Sequence, residues 1–155
     1  MIHKLNSPWK DQAFLALLTA YERELQLVEP SYPCGQTSTF LDVQGMQTFV
    51  DVENGSYAGF IILEIRGDEC EIHELYVTPA NRNAAIVRAL LEKAFCSGFR
   101  LVFNIFKKNV RILALAECLL QRRGAEATLS DREVWGMHAV HYEMKLNKPD
   151  ARDGS

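Results

Sequence analysis

The chain has 155 residues, 48% of them apolar, and a formal net charge of −3. That length suits one domain with a real core, and the slight acidity, without interleaved basic and aromatic residues, speaks against a nucleic-acid partner. No apolar run approaches the roughly 18 residues of a membrane span, and the opening MIHKLNSPWKDQ lacks the apolar stretch and small-residue cleavage site of a secretory signal, so no membrane partner and a cytoplasmic address are expected.

The first expected element is a helix over residues 10–28, where Phe14, Leu17, Leu18, Tyr21, Leu25 and Val28 recur at helical steps and form one apolar stripe. Pro30 and Pro33 end it, and residues 29–45 read as a polar, irregular loop with a short turn at Thr39–Leu41. MQTFVDV and YAGFIILEI then read as two strands of a hairpin, with Asn54-Gly55 in the turn between them. The apolar run Ala58 to Leu63 predicts a strand covered on both faces. ECEIHELYV is a third strand, completing a meander. Alternation along it places Glu71, His73, Leu75 and Val77 on one face and Cys70, Ile72, Glu74 and Tyr76 on the other.

A helix over residues 84–96 follows, with Val87, Leu90, Leu91, Ala94 and Phe95 buried and Gly98 at its end. RLVFNIF is a strand. Asn109 caps a last helix that runs to Arg123 and closes at Gly124, and HAVHYEMKL is the final strand. The order predicts an α/β (α+β) fold on one mixed central sheet with flanking helices: a single domain over residues 1–147 and a disordered tail over 148–155.

Cys34, Cys70, Cys96 and Cys118 show no C-x-x-C spacing, and His138 and His141 stand three apart on an expected strand, so neither a disulfide framework nor a metal site is expected. The charge is unevenly spread: residues 1–74 carry 12 acids and 4 bases, residues 75–155 carry 8 acids and 13 bases. An acidic front and a basic rear suit a molecule that meets a cation on one side and an anion on the other; the alternative is chance composition with every charge solvated.

ELYVTPANRNAAIVRALLEKA, residues 74–94, resembles motif A of the GNAT superfamily of N-acetyltransferases. In that family a strand ends in Val-x-Pro, Arg/Gln-x-x-Gly-x-Gly/Ala follows, and a helix opens with Leu-Leu. Here Val77, Pro79, Arg82, Leu90 and Leu91 stand at the matching steps, and the resemblance extends more weakly from residue 46 to Ala125. It implies the GNAT fold, acetyl-coenzyme A as co-substrate, no metal, an amine acceptor, and leaves a homodimer open. Both glycine positions of the motif are substituted, by Ala85 and Val87. The family holds the coenzyme A pyrophosphate on main-chain amides at a helix N-terminus, so the substitutions change distances while removing no donor; the alternative is that Val87 is the first core residue of the helix and the anion site is shifted or lost.

Carried over position by position, the resemblance implies cofactor contacts at Tyr76, Val77, Arg82, Asn83, Ala84, Ala85, Val87, Arg88 and Asn109, the first two through main chain beside the pantetheine arm. Lys107, Lys108 and Arg111 stand where the outer phosphates are often met; a solvated basic turn is the alternative. Glu71 falls where some members place a general-base glutamate and His73 where others carry an acid; ordinary solvated charges near a strand end are the alternative. The family's thiolate-protonating tyrosine would stand at Leu120, and NVRILALAECLLQRRG holds no tyrosine or serine, with Glu117 and Cys118 its only titratable groups other than arginine. Two readings follow: an acetyl-coenzyme A-dependent N-acyltransferase acting on a small cationic amine or a protein amine, and a degenerate binding or regulatory module of the same fold.

Overall fold

The apolar stripe of the first segment becomes α1 (Gln12–Val28) in a computed structural model that describes residues 1–96, 100–123 and 126–145. Asp11 caps it, accepting from the Phe14 amide at 3.0 Å, and Phe14, Leu18 and Leu25 are buried. Val28, the last residue of the stripe, is exposed at the helix end.

Seven strands form one sheet in the order β1-β2-β3-β4-β5-β7-β6: β1 (Ile2–Leu5), β2 (Met46–Glu53), β3 (Ser56–Arg66), β4 (Glu69–Val77), β5 (Arg100–Phe106), β6 (Ala127–Val134) and β7 (Met137–Lys145). Every neighbouring pair is antiparallel except β4 with β5. Asn54 and Gly55 turn the β2–β3 hairpin with φ of +52° and +77°, the positive pair that a two-residue turn needs to match strand twist.

On one face of the sheet α1 covers Val50, Phe60, Ile62 and Tyr76. On the other, α2 (Ala84–Phe95) buries Ile86, Leu90 and Ala94 against Ile61, Leu63, Cys70 and Leu101, with Leu119 and Leu120 of α3 (Val110–Arg123) packed at the side. A fully enclosed side chain such as Leu90 contributes about 1.5–3 kcal/mol.

Two strands were not expected. The first, β1, has only four residues; β6, ATLSDREV, is exposed along nearly its whole length and shows no apolar alternation. Both are outermost strands held by a single ladder. The buried residue of the first α2 turn is Ile86, and Val87 stands half-buried beside α3, because the helix turns its Ile86-Leu90-Ala94 row to the sheet. The residues beyond 145, with the expected tail, and the expected helix ends at Gly98 and Gly124 lie outside the described residues.

The expected alternation along β4 also needs correction. Ile62 pairs with Glu74 while Leu63 pairs with Ile72, so His73 is an extra residue in the ladder. The bulge reverses the faces beyond it. Cys70, Ile72, Leu75 and Val77 pack on the α2 side, whereas Tyr76 packs on the α1 side and Glu74 bonds the α1 residue Tyr21.

Candidate functional site

The parallel ladder between β4 and β5 runs only from Glu69–Arg100 to Ile72–Phe103. Beyond it β4 continues to Val77 with β3 on one side and, among the described residues, no strand on the other. The Thr78 amide donates to Ala58 O at 2.8 Å. Antiparallel pairs alternate between bonded and unbonded positions, so Tyr76 and Glu74 direct their main chain at β3. Leu75 and Val77 direct theirs at the gap left by β5. Gly59 permits this arrangement: a Cβ there would lie 2.5 Å from Tyr76 O and 3.2 Å from Val77 Cα.

A cleft of about 570 Å³ opens at the gap, between the end of β4 and the first turns of α2 and α3. Asn83 caps α2, its Oδ1 accepting from the Ile86 amide at 3.0 Å, and the Val87 amide reaches Asn83 O at 3.4 Å. Among the described residues no partner takes the amides of Ala84 and Ala85, the two remaining donors of the first turn. They stand at the positive end of the helix dipole, donors of the kind that can meet an anion. Val87 lines the cleft and also a pocket of about 100 Å³ between α2 and α3, so its methyls fill space between the helices as well as bordering the gap.

Of the expected cofactor residues, Tyr76, Val77, Arg82, Asn83, Ala84, Val87 and Asn109 line this cleft, though the Tyr76 main chain, expected beside the cofactor arm, is turned to β3 instead; Ala85 is on the first turn of α2, and Arg88 lines the smaller pocket. Asn109 is engaged as a cap, accepting from the Ile112 amide at 3.4 Å. Arg82 donates through Nε to Val77 O at 3.1 Å, pairs with Glu24 of α1, and lies 5.8 Å over the Tyr76 ring. Glu24 also accepts from the Tyr76 hydroxyl at 2.8 Å. Burial alone would raise the Glu24 carboxyl; the bonds from Arg82 and Tyr76 outweigh it and hold the group below its ordinary value. Lys108 pairs with Glu29 at 3.6 Å and Lys107 with Asp131 at 2.8 Å. Among the described residues Arg88 and Arg111 have no ion-pair partner.

A second cleft, of about 410 Å³, adjoins the first, and Tyr21, Leu75 and Asn109 line both. Glu71 and His73 border it. His73 Nε2 lies 2.8 Å from Glu64 and 3.2 Å from Glu71. Glu64, Glu71 and His73 bring ligand atoms within 4.8 Å of one another, but Arg66 stands 2.8 Å from Glu64 and 3.2 Å from Glu71. A cation there must displace a guanidinium already in place. Burial pushes the Glu64 carboxyl up, and the bonds from Arg66 and His73 bring it below its ordinary value.

Glu74 has no role in the sequence reading beyond its place on one face of β4. It is only 9% exposed; its carboxylate accepts from Tyr21, from Tyr32 at 2.8 Å and from Thr37 at 3.4 Å. Burial raises its pKa, offset in part by the hydroxyl bonds. Burial and the nearby Glu74 charge hold both tyrosines protonated far above their ordinary range. The available signal was the lone acid in HELYV, with a tyrosine inside the apolar stripe of α1. On α3, Glu117 and Cys118 are exposed and Leu120 packs toward the core, so hydroxyls reach the clefts from α1 and from loop 29–45.

A splayed β4–β5 pair over a helix N-terminus, in one mixed sheet flanked by helices, defines a class of α+β fold that the comparisons identify. The sequence model of the acetyltransferase (GNAT) family matches residues 12–119. The chain belongs to that family. In solved structures it is similar to the ribosomal-protein-S18-alanine N-acetyltransferase of Escherichia coli, at 18% identity and a TM-score of 0.72, over 97% of this chain and 96% of that one. It is also similar to the ribosomal-protein-alanine N-acetyltransferase of Brucella melitensis, at 17% identity and 0.62, over 94% and 99%. A third similar structure is an aminoglycoside 6'-N-acetyltransferase complexed with coenzyme A, at 12% identity and 0.65, over 97% and 99%. At such identities the likeness shows the fold. No curated protein matches in sequence. No helix among the described residues is long and apolar enough to cross a membrane.

Proposed function

We propose that the chain is an acyl-coenzyme A-dependent N-acyltransferase that moves an acetyl group from acetyl-coenzyme A to an amine of a small cationic molecule or of a protein. The observation that carries this reading is the gap beside β4, where the Leu75 main chain and the Val77 amide face a cleft that ends at the Ala84 and Ala85 amides, outside any strand ladder among the described residues, while the Val77 carbonyl accepts from Arg82. An extended arm fits that edge as a strand would, and its diphosphate meets the helix N-terminus.

Glu71 or His73 takes a proton from the ammonium, leaving a neutral amine whose lone pair attacks the thioester carbonyl. The Val77 amide bonds the developing oxyanion. The carbon–nitrogen bond forms, the carbon–sulfur bond breaks, and the thiolate leaves as thiol after receiving a proton. Tyr21, which lines both clefts, is the hydroxyl we assign to this step; it regains its proton from the second amine proton, and the first, taken by the base, passes to solvent.

The absence of a hydroxyl at Leu120 favours a second reading, a binding module of the same fold that has lost acyl transfer. The two separate in sequence. Acetyl-coenzyme A should raise the melting temperature of the purified chain, because a ligand that binds only the folded state stabilises it. Thiol release with amines should then follow and fall in Glu71→Gln or His73→Ala. No thermal shift at millimolar donor sinks donor binding, and a shift without thiol release from any amine leaves the module.

A further inference from the structure

A buried carboxyl is matched by a cation, held by hydrogen-bond donors or kept protonated, because an ionised group without a partner loses solvation it does not regain. Glu22 and Glu29, also buried, meet the Gly35 amide and the Lys108 ammonium. Among the described residues Glu74 bonds the hydroxyls of Tyr21, Tyr32 and Thr37, no lysine or arginine pairs with it, and the adjacent His73, which lines the same cleft, acts on it through charge without a hydrogen bond. Its carboxylate is nevertheless at the wall of the second cleft, 91% enclosed and one strand step from the Leu75 main chain that faces the gap. The missing cation has a place to come from.

That place is walled by rings. Tyr21, Tyr32, Phe40, Phe106 and Trp135 line the same cleft as Glu74. Tyr32 makes edge contacts with Trp135 at 5.6 Å and with Phe106 at 6.3 Å between ring centroids. Trp135 is 52% exposed and holds φ at +50°, a left-handed backbone that a bulky side chain rarely takes, with Gly136 at +78° completing the β6–β7 turn. Ring faces attract an organic cation, and rings leave little for a polar body to bond. The other carboxylates bordering this region are already paired: Glu64 and Glu71 with Arg66, and Glu29 with Lys108. A buried carboxyl bonded by hydroxyls, with no lysine or arginine partner among the described residues, in an aromatic cleft of about 410 Å³ suits one positive charge on a small apolar body.

We propose that Glu74 anchors the ammonium of the acceptor, and that the acceptor is a primary monoamine carried on a flat apolar or aromatic group, seated among Tyr21, Tyr32 and Trp135. This rests on the N-acyltransferase reading and narrows it, setting polycations and peptide N-termini aside. A polycation brings charges that this cleft leaves unmatched. A peptide brings amides and carbonyls that ring faces cannot bond.

Calorimetric titration of the full chain without donor tests it, using phenethylamine, phenethyl alcohol, spermidine and a short peptide with a free N-terminus as probes. Phenethylamine should bind at least about tenfold more tightly than each of the other three. Glu74→Gln should erase the preference of amine over alcohol, Trp135→Ala should weaken amine and alcohol together, and Tyr32→Phe, which keeps the carboxylate, should retain the preference. Equal binding of amine and alcohol by the unaltered protein overturns the proposal whether or not any variant folds. So does tighter binding of spermidine or the peptide, or a preference that survives Glu74→Gln. Failure of the underlying reading shows differently, as phenethylamine binding with no thermal response to acetyl-coenzyme A.

Discussion

The two clefts meet at Tyr21, Leu75 and Asn109 yet are built from opposite materials. The one over α2 offers main chain: the amides of Ala84 and Ala85, and the turned-out edge of Leu75 and Val77. The one under loop 29–45 offers side chains: the Glu74 carboxylate, its three hydroxyl partners and a ring of aromatics. A main-chain site tolerates changes of residue type as long as the backbone keeps its course, which is how alanine and valine can stand where the family uses glycine. A side-chain site has no such freedom, because one atom of Glu74 or Trp135 is one contact.

The broadest way to break this contrast is to strike the wall that both clefts share. Gly59→Ala drives a Cβ to 2.5 Å from Tyr76 O. We expect about 1–3 kcal/mol of lost stability in denaturant unfolding, the usual range for overpacking, together with loss of both ligand responses. If donor and amine binding survive with native stability, the end of β4 is not the common wall.

A narrower strike is Ala84→Pro. Proline is well placed at the first helical position, and Asn83 before it has φ −141° and ψ 158°, an extended conformation that tolerates a following proline. The substitution deletes one amide donor and leaves the helix intact. Acetyl-coenzyme A should bind roughly tenfold more weakly, about 1.4 kcal/mol, with unliganded melting temperature and phenethylamine binding unchanged. Undiminished donor affinity would remove that amide from the anion site.

The finest probe is pH. Burial raises the Glu74 pKa in the fold, so its stabilising effect is full below the ordinary carboxylate range and is lost as pH rises through the folded-state value. Glu24 and Glu64, held low, act with the opposite sign: their contribution is present above the ordinary range and disappears as pH falls through their folded values. Thermal melts of Glu74→Gln should therefore lack the decline toward neutral pH and keep the acid limb. The effect is the smallest of the three because the hydroxyls of Tyr21, Tyr32 and Thr37 already offset much of the burial. A variant whose pH profile matches the unaltered protein would show Glu74 ionised with no penalty.

The same contrast explains what was readable in the residues alone. Periodicity placed α1 and α2 within two residues, and β4 and β5 to the residue, because each has a strong apolar pattern or firm turn signals at its ends. It missed β1 and β6, which are short or polar and exist only because a neighbour pairs with them. The cleft over α2 was legible through Val77, Pro79 and Arg82, a run of consecutive chain whose spacing is local. Glu74 was not legible. Its enclosure depends on a bulge at His73, on Tyr21 from α1 and on Tyr32 from a loop that sequence reading leaves irregular. None of those encounters is encoded by spacing along β4. Lys107 and Lys108 show the converse: a basic turn that looks available along the chain is tied to Asp131 and Glu29 across it.

Arg82 and Glu24 carry one last implication. A guanidinium already clasped by a carboxylate gives an arriving anion a rival to displace rather than a vacancy to enter. What the anion gains is a difference between two ion pairs, so a monoanion that merely equals the carboxylate gains nothing. On the proposed donor reading, a dianionic diphosphate that also reaches the Ala84 and Ala85 amides outcompetes it. The glutamate thereby works as a threshold, turning away weak anions while the released α1 carboxylate keeps its bond to the Tyr76 hydroxyl.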